Sequence, residues 1–285
     1  MDYIDLHTHS SASDGTFTPA EVYASALEVN LTAVALTDHD TVSGLDEFLA
    51  AAVDHPECAA VPGVEIACQL ENKEIHLLGL FIDRRSKVLL ELLEFCRNER
   101  MKRNRDIFLK LHFLGYDLNI GMEEFCGKDL LEIGRPHFAR ALVNRYGFTT
   151  IQSCFDKLLG HNKPAWVKRK YPLPEEVINA IHLAGGVAVW AHPISRDVPD
   201  KAFLIRTVRR LKKMGLDGIE AYYSMFSGRE TALISEVAEQ YGLMLSGGSD
   251  FHGENRPNIL LGFGSGGLRV PEELFFLQKS AVVSR

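Results

Sequence analysis

The chain has 285 residues, a formal net charge of −7, 46% hydrophobic and 24% charged residues, which is ample material for a globular core. Its acidic balance argues against broad coating of nucleic acid, and no apolar run reaches the length of a membrane span. The opening Met1-Asp2-Tyr3-Ile4-Asp5 lacks the basic start and apolar run of a leader, and Cys58, Cys68, Cys96, Cys126 and Cys154 are widely spaced, as expected for reduced thiols of a cytoplasmic protein.

In chain order, a β-type run at 3–8 comes first, followed by Thr18-Pro19-Ala20-Glu21, a capping box with proline at the first helical position. Further β-type runs fall at 32–37, 59–66 and 74–82. Only a short polar stretch around Asn72-Lys73 separates the last two, which predicts a hairpin. From about 84 to 171 the strand–helix rhythm stops. Val88, Leu89, Leu92, Leu93, Cys96, Ile107, Phe108 and Leu111 mark a long amphipathic helix, Phe138, Leu142 and Val143 a second one starting near Pro136, and 150–159 a third. Pro174 opens another helix with Val177, Ile178, Ile181 and Ala184 on one face, ended by Gly185-Gly186. Runs at 187–191, 218–223 and 243–246 complete the set. Strands alternating with helices predict an α/β architecture with a largely parallel sheet. Seven strands are too few for the eightfold barrel, so a distorted barrel is expected over 1–83 and 172–285, with 84–171 a helical insertion covering one end of it and serving as a substrate-binding cap.

The chemistry-bearing residues fall at the ends of these strands. His7 and His9 close the first run, and alternate residues of an extended chain point to one side. Asp14 follows in the adjoining loop, Asp38 and His39 end the second run, and Glu65 ends the third. His76 lies in the fourth, His192 ends the fifth, and Asp250 and His252 follow the seventh. Active sites of βα barrels form at this rim, from several strands together. Nine such residues, leaving Asp38 aside, exceed what one zinc ion takes. They suit a cluster of two or three divalent cations, with Glu65 able to bridge because a carboxylate offers two oxygens. Mixed nitrogen and oxygen ligands suit manganese, iron or zinc and do not choose among them; manganese is the ion expected first. Such a cluster lowers the pKa of bound water and clamps the attacking and leaving oxygens of an in-line displacement, equipment that fits phosphate-ester hydrolysis.

The ordered motifs Asp-Leu-His-Thr-His-Ser, Ser-Asp-Gly, Leu-Thr-Asp-His-Asp, Gly-Val-Glu, Ala-His-Pro and Gly-Ser-Asp-Phe-His resemble the PHP family, named for polymerase and histidinol phosphatase. The resemblance implies a distorted (β/α)7 barrel with a trinuclear metal site. On the matching positions, His7, His9, Glu65 and Asp250 would serve one metal; Glu65, His76 and His192 a second; Asp14, His39 and His252 the third. Asp38 would orient a ligand from behind, and no catalytic side chain is expected beyond the ligands, the nucleophile being a metal-bound hydroxide. Within the family, the insertion with Gly134-Arg135-Pro136-His137-Phe138-Ala139-Arg140 resembles the branch that removes the 3′-phosphate of nucleoside 3′,5′-bisphosphates, members of which also trim short RNA from its 5′ end. That branch often reads Ala-His-Pro-Gly-Arg where this chain has Ala191-His192-Pro193-Ile194-Ser195-Arg196, so the phosphate contact expected there falls to Ser195 or Arg196 or is lost.

The insertion also carries cations for a dianionic substrate. Arg97, Arg100 and Arg103 recur along one helical stripe, and Arg135 and His137 begin a helix whose N-terminus favours anions. The expected partner is therefore a small phosphorylated nucleotide or short RNA, with no membrane and no protein partner implied. The competing readings are a histidinol-phosphate phosphatase and a non-catalytic metal-binding regulatory module. Gly262-Phe263-Gly264-Ser265-Gly266-Gly267 matches a dinucleotide fingerprint in form only, since no βαβ unit follows it.

Overall fold

A computed structural model describes residues 3–71, 73–125, 127–194 and 201–283. The contacts divide the chain into two units, Met1–Leu93 with Pro172–Arg285, and Glu94–Tyr171. The first unit is an α/β barrel. Its strands are β1 (Tyr3–Asp5), β2 (Ala33–Leu36), β3 (Ala59–Leu70), β4 (Lys73–Leu80), β5 (Val187–Trp190), β6 (Gly218–Tyr223), β7 (Met244–Gly248) and β8 (Val270–Pro271). They are ordered β7-β6-β5-β4-β3-β2-β1-β8. Neighbours pair in parallel except β3 with β4, β4 with β5, and β1 with β8. The hairpin expected around Asn72-Lys73 is the β3–β4 pair; Asn72 itself lies outside the described residues.

Seven strands were legible as strands; β8 is a two-residue addition, too short to show a period of its own. The sheet rolls almost shut where β7 returns to β1. Leu6 N–H donates to Gly247 O at 3.1 Å, and Thr8 bridges Phe251 in parallel. A Cβ on Gly248 would collide with the backbone and Cβ of His7, so this close approach of backbones requires glycine. Alternate positions fill the core between the strands, among them Ile4, Leu6, Ala33, Ala35, Leu78, Leu80, Val187 and Val189.

The helices start where the local chemistry predicts. In α1 (Pro19–Glu28), Thr18 Oγ1 accepts from Glu21 N–H at 3.2 Å and Glu21 Oε2 accepts from Thr18 N–H at 2.7 Å. Then come α2 (Leu45–Ala51) and α3 (Lys87–Phe113), and, beyond the insertion, α6 (Pro174–Leu183), α7 (Lys201–Lys213), α8 (Gly228–Tyr241) and α9 (Glu273–Val283). Helix α6 buries Val177, Ile178 and Ile181, the face predicted for it.

The second unit is helical. The division falls within α3, after Leu93, later than residue 84, because α3 runs unbroken through that point and its first turns group with the barrel. Helices α4 (Arg135–Tyr146) and α5 (Ile151–Cys154) follow, the latter running into a π-helical turn, Phe155–Leu159. Ile107, Leu111, Phe125, Ile133, Phe138, Leu142 and Leu159 form its core. Buried Asn104 donates through Nδ2 to Leu130 O and Ile133 O, both at 2.8 Å, which ties α3 to the segment entering α4.

One buried carboxylate pins the barrel seam. Asp5 Oδ1 accepts from Ser249 N–H at 2.8 Å and His7 N–H at 3.3 Å, and Oδ2 accepts from Gly262 N–H at 2.8 Å. Burial pushes its carboxyl above the ordinary value, opposed by these donors. Replacing Asp5 with alanine strands three buried donors, each worth about 1–3 kcal/mol when unsatisfied. The expected loss is about 3 kcal/mol or more, read as a lower urea midpoint at unchanged m-value. An unchanged midpoint would remove Asp5 from the seam.

Candidate metal centre

The nine residues singled out at the strand ends meet at one end of the barrel, with Glu65 between them. Glu65 Oε2 lies 3.4 Å from His7 Nε2, 3.2 Å from His9 Nε2 and 3.0 Å from His39 Nδ1. Its other oxygen, Oε1, lies 2.7 Å from His76 Nδ1 and 3.0 Å from His192 Nε2. Asp250 Oδ1 faces His7 Nε2 at 3.6 Å and His9 Nε2 at 3.3 Å. On the other side, Asp14 Oδ1 sits 3.2 Å from His252 Nε2, and Asp14 Oδ2 sits 3.9 Å from His39 Nε2.

Three overlapping groups therefore have donor atoms within 4.8 Å of one another: His9, Asp14, His39 and His252; His7, His9 and Glu65; His39, Glu65 and His76. His9 and His39 each appear in two groups, which a one-residue, one-ion assignment does not anticipate. The donor set fits divalent cations on an independent ground. His7 Nε2, both ring nitrogens of His9, Glu65 Oε2 and His252 Nε2 are buried without a hydrogen-bond partner among the described residues. Buried polar atoms left so are costly, and here they converge on a common centre.

Strand geometry alone does not place these side chains. His192 and Asp250 adopt φ of 30° and 57°, and Asp40, beside His39, adopts 55°. Such values are disfavoured for residues with a Cβ and bend the chain as it leaves β5, β7 and β2. Asp38 acts on the loop between His9 and Asp14. Its Oδ1 accepts from Ser10 N–H at 2.8 Å and Ser13 Oγ at 2.5 Å, and its Oδ2 from Ser10 Oγ at 2.6 Å, which fixes the turn that carries Asp14.

Four further residues that sequence reasoning passed over belong to this end of the barrel or its supports. Tyr223 Oη donates to Asp250 Oδ2 at 2.8 Å, and Arg256 pairs with the same oxygen, so Asp250 is left with Oδ1 for the centre. Glu220 is buried against His7, and Asp5 against the seam. A carboxylate inside the apolar run 218–221 was the available signal for Glu220. Arg256 and Tyr223 carried none, because their value depends on where Asp250 lies. His137 is buried, and its Nδ1 accepts from Gly134 N–H at 3.1 Å, so one ring nitrogen is used to cap α4. Ser195 and Arg196 lie outside the described residues.

Electrostatics bind the set together. Burial opposes ionisation of Glu65, but the imidazoles of His39, His76 and His7 hold its carboxyl well below the usual range. Burial likewise opposes charge on His7, yet Glu220, Glu65 and Asp250 hold it well above the ordinary imidazole value. His76 is pushed up to about 10, by Glu65 against its own burial.

This geometry defines a metal-dependent phosphoesterase, and comparison with known proteins agrees. A PHP domain model matches residues 5–185. Over 251 residues the chain is 33% identical to a 5′-3′ exoribonuclease of Haemophilus influenzae, covering 87% of this chain and 89% of that one. Over 259 residues it is 34% identical to a 3′,5′-nucleoside bisphosphate phosphatase of Chromobacterium violaceum, covering 88% of each. A solved structure from Bifidobacterium adolescentis, assigned to the metal-dependent phosphoesterases, superposes with a TM-score of 0.83 at 26% identity, covering 100% of this chain and 99% of that one. The chain belongs to the PHP family.

Two outcomes follow from the centre. Glu65→Gln keeps the shape but replaces one of the two anionic oxygens by a donor, so bound metal and turnover should fall together, by several kcal/mol of transition-state stabilisation. Elemental analysis beside kcat/KM reads both, and normal metal content with a normal rate would remove Glu65 from the centre. Secondly, cations must displace protons from His7, held well above the ordinary imidazole value, and from His76, pushed up to about 10. Uptake should therefore release protons, and apparent affinity should climb with pH until that range is passed. Calorimetry of stripped protein in two buffers of different ionisation enthalpy measures the release; zero release at about pH 7 would contradict it.

Proposed function

We propose that the chain hydrolyses the 3′-phosphate of nucleoside 3′,5′-bisphosphates and shortens small RNAs from the 5′ end, with manganese the preferred ion. The observation that carries the reading is a knot of arginines in the helical unit. Arg100, Arg103 and Arg169 are all buried. Arg103 donates through Nε and Nη2 to Asn104 Oδ1, at 3.0 and 2.7 Å, and Arg169 Nη2 donates to Cys96 O at 2.8 Å. Burial first, then the charges of Arg100, Arg169 and Arg135, pushes Arg103 well below its ordinary pKa. Like charges gathered out of water repel, and a phosphate relieves that repulsion through charge-assisted, bidentate hydrogen bonds.

Two relatives support the choice of substrate, one a 3′,5′-nucleoside bisphosphate phosphatase and the other a 5′-3′ exoribonuclease. In the barrel, divalent cations held by His7, His9, Asp14, His39, Glu65, His76, His192, Asp250 and His252 would activate water and neutralise the phosphoryl oxygens. The mixed imidazole and carboxylate set supports manganese first, with iron or zinc as alternatives. Tyr223 and Arg256 hold Asp250 in one orientation, and Asp38 holds the turn bearing Asp14. The helical unit then serves as a substrate-binding cap, with Arg100, Arg103, Arg135 and Arg169 taking the phosphate that does not react. Binding energy from a non-reacting group can position the reacting one. A cytoplasmic location is supported by buried cysteine thiols at 58, 68, 96 and 154; no described helix is long and apolar enough to cross a membrane.

The test compares a nucleoside 3′,5′-bisphosphate with the matching 3′-monophosphate. The bisphosphate should have the higher kcat/KM, with little dependence on the base. Arg135→Ala should cost about 1.5–3 kcal/mol in kcat/KM at normal metal content, and the double change Arg100→Ala with Arg103→Ala should shrink the preference itself. Equal values for the two nucleotides, or a preference for histidinol phosphate, would overturn the reading.

A further inference from the structure

Glu220 stands in the middle of β6, between Ile219 and Ala221, and is fully buried. A carboxylate so placed must find strong donors, and it finds two on different strands. Its Oε1 is 3.0 Å from His7 Nδ1, at the end of β1, and its Oε2 accepts from His192 N–H at 2.7 Å, at the end of β5. His192 is the residue with φ of 30°, a backbone conformation that needs support from its surroundings. His7 and His192 touch opposite oxygens of Glu65. One carboxylate behind the centre thus braces the imidazole of His7 and the backbone of His192 in front of it.

We propose that Glu220 is a positioning residue for the metal centre, fixing the ring tautomer of His7 and the backbone of His192 at once. A carboxylate only accepts. Facing Glu220, Nδ1 of His7 keeps its proton, and the lone pair of the neutral ring is confined to Nε2. Nε2 is the atom that approaches Glu65 and Asp250 and has no hydrogen-bond partner among the described residues. Outer partners of this kind set both the tautomer and the basicity of a ligating imidazole. The inference rests on the metal reading of the centre and adds a residue to it.

Glutamine separates this role from simple space-filling, because Glu220→Gln keeps size and shape but offers one acceptor instead of two. If the amide oxygen serves His192 N–H, the amide nitrogen faces His7 Nδ1. That nitrogen can then accept only in the Nε2–H tautomer, which turns the lone pair away from the centre. If the oxygen serves His7 instead, two N–H groups confront each other at His192, and the backbone there loses its acceptor.

The experiment measures manganese and zinc affinity of stripped wild-type and Glu220→Gln protein by chelator competition, with thermal unfolding of both as a control. Long-range proton–nitrogen NMR spectra of the zinc-loaded proteins report the His7 tautomer. Glu220→Gln should lose about 10–100-fold in metal affinity while unfolding as one cooperative transition. In the loaded wild type, His7 should carry its proton on Nδ1 and bind through Nε2. Wild-type affinity in a folded Glu220→Gln would overturn the proposal. So would a His7 bound through Nδ1 in the loaded wild type, a measurement that needs no variant to fold. A wild-type chain that takes up neither metal fails at the reading of the centre itself.

Discussion

Everything at this end of the barrel depends on one buried carboxylate. Glu65 is excluded from water, and its two oxygens touch five imidazoles from four separate strand ends. An isolated charge in that position would be prohibitive. It is tolerable only if positive charge is supplied in return, either as protons on the histidines or as divalent cations in their place. The depressed carboxyl of Glu65 and the raised imidazoles of His7 and His76 are two sides of that exchange. The protonated cluster is therefore a competitor of the metallated one, and the pH at which ions load is a property of the whole set.

The surrounding structure is built to hold that carboxylate's neighbours still. His192 and Asp250 sit in strained backbone and are braced from behind. His192 N–H meets Glu220, Asp250 N–H meets His7 O at 2.8 Å, and the Asp250 side chain is held by Tyr223 and Arg256. Strain of this kind persists only where the environment over-determines it. Asp5 extends the scheme to the seam, using one carboxylate to bind backbone from β1, the end of β7 and the loop at Gly262. The support shell is thus made of carboxylates facing backbone N–H groups, and the inner shell of carboxylates facing imidazoles.

The inner shell was legible in the sequence because histidine and acid at the end of an apolar strand break the local pattern. His7, His9, His39, Glu65 and His192 each interrupt or end a run that composition alone would continue. The hairpin and the helix starts were legible for the same reason: Thr18-Pro19-Ala20-Glu21 and Pro174 act through bonds within four residues. What escaped has its partner far away in the chain. Glu220 matters through His7, more than two hundred residues earlier, and Arg169 through Arg100 and Arg103. Strand β8 escaped because two residues show no periodicity. Sequence spacing marks His137 and Asp38 as unusual without showing that one ring nitrogen of His137 accepts from Gly134 N–H or that Asp38 ties the turn at Ser10 and Ser13. Sequence spacing identifies which residues are unusual, but not which atom each one spends on its neighbour.

The net charge of −7 averages two opposite sites. The barrel collects Asp14, Glu65 and Asp250 around imidazoles, a set suited to cations. The helical unit gathers the charges of Arg100, Arg169 and Arg135 around Arg103. On the proposed function, chemistry and recognition draw on separate pools of charge. A cluster of ions is indifferent to what lies beyond the phosphoryl group it holds, so it cannot choose among phosphoesters. A fixed set of guanidinium groups can, because it favours a substrate that carries a further anion. On the proposed function, the arginines of the insertion, and not the ions, decide which phosphoester is cleaved.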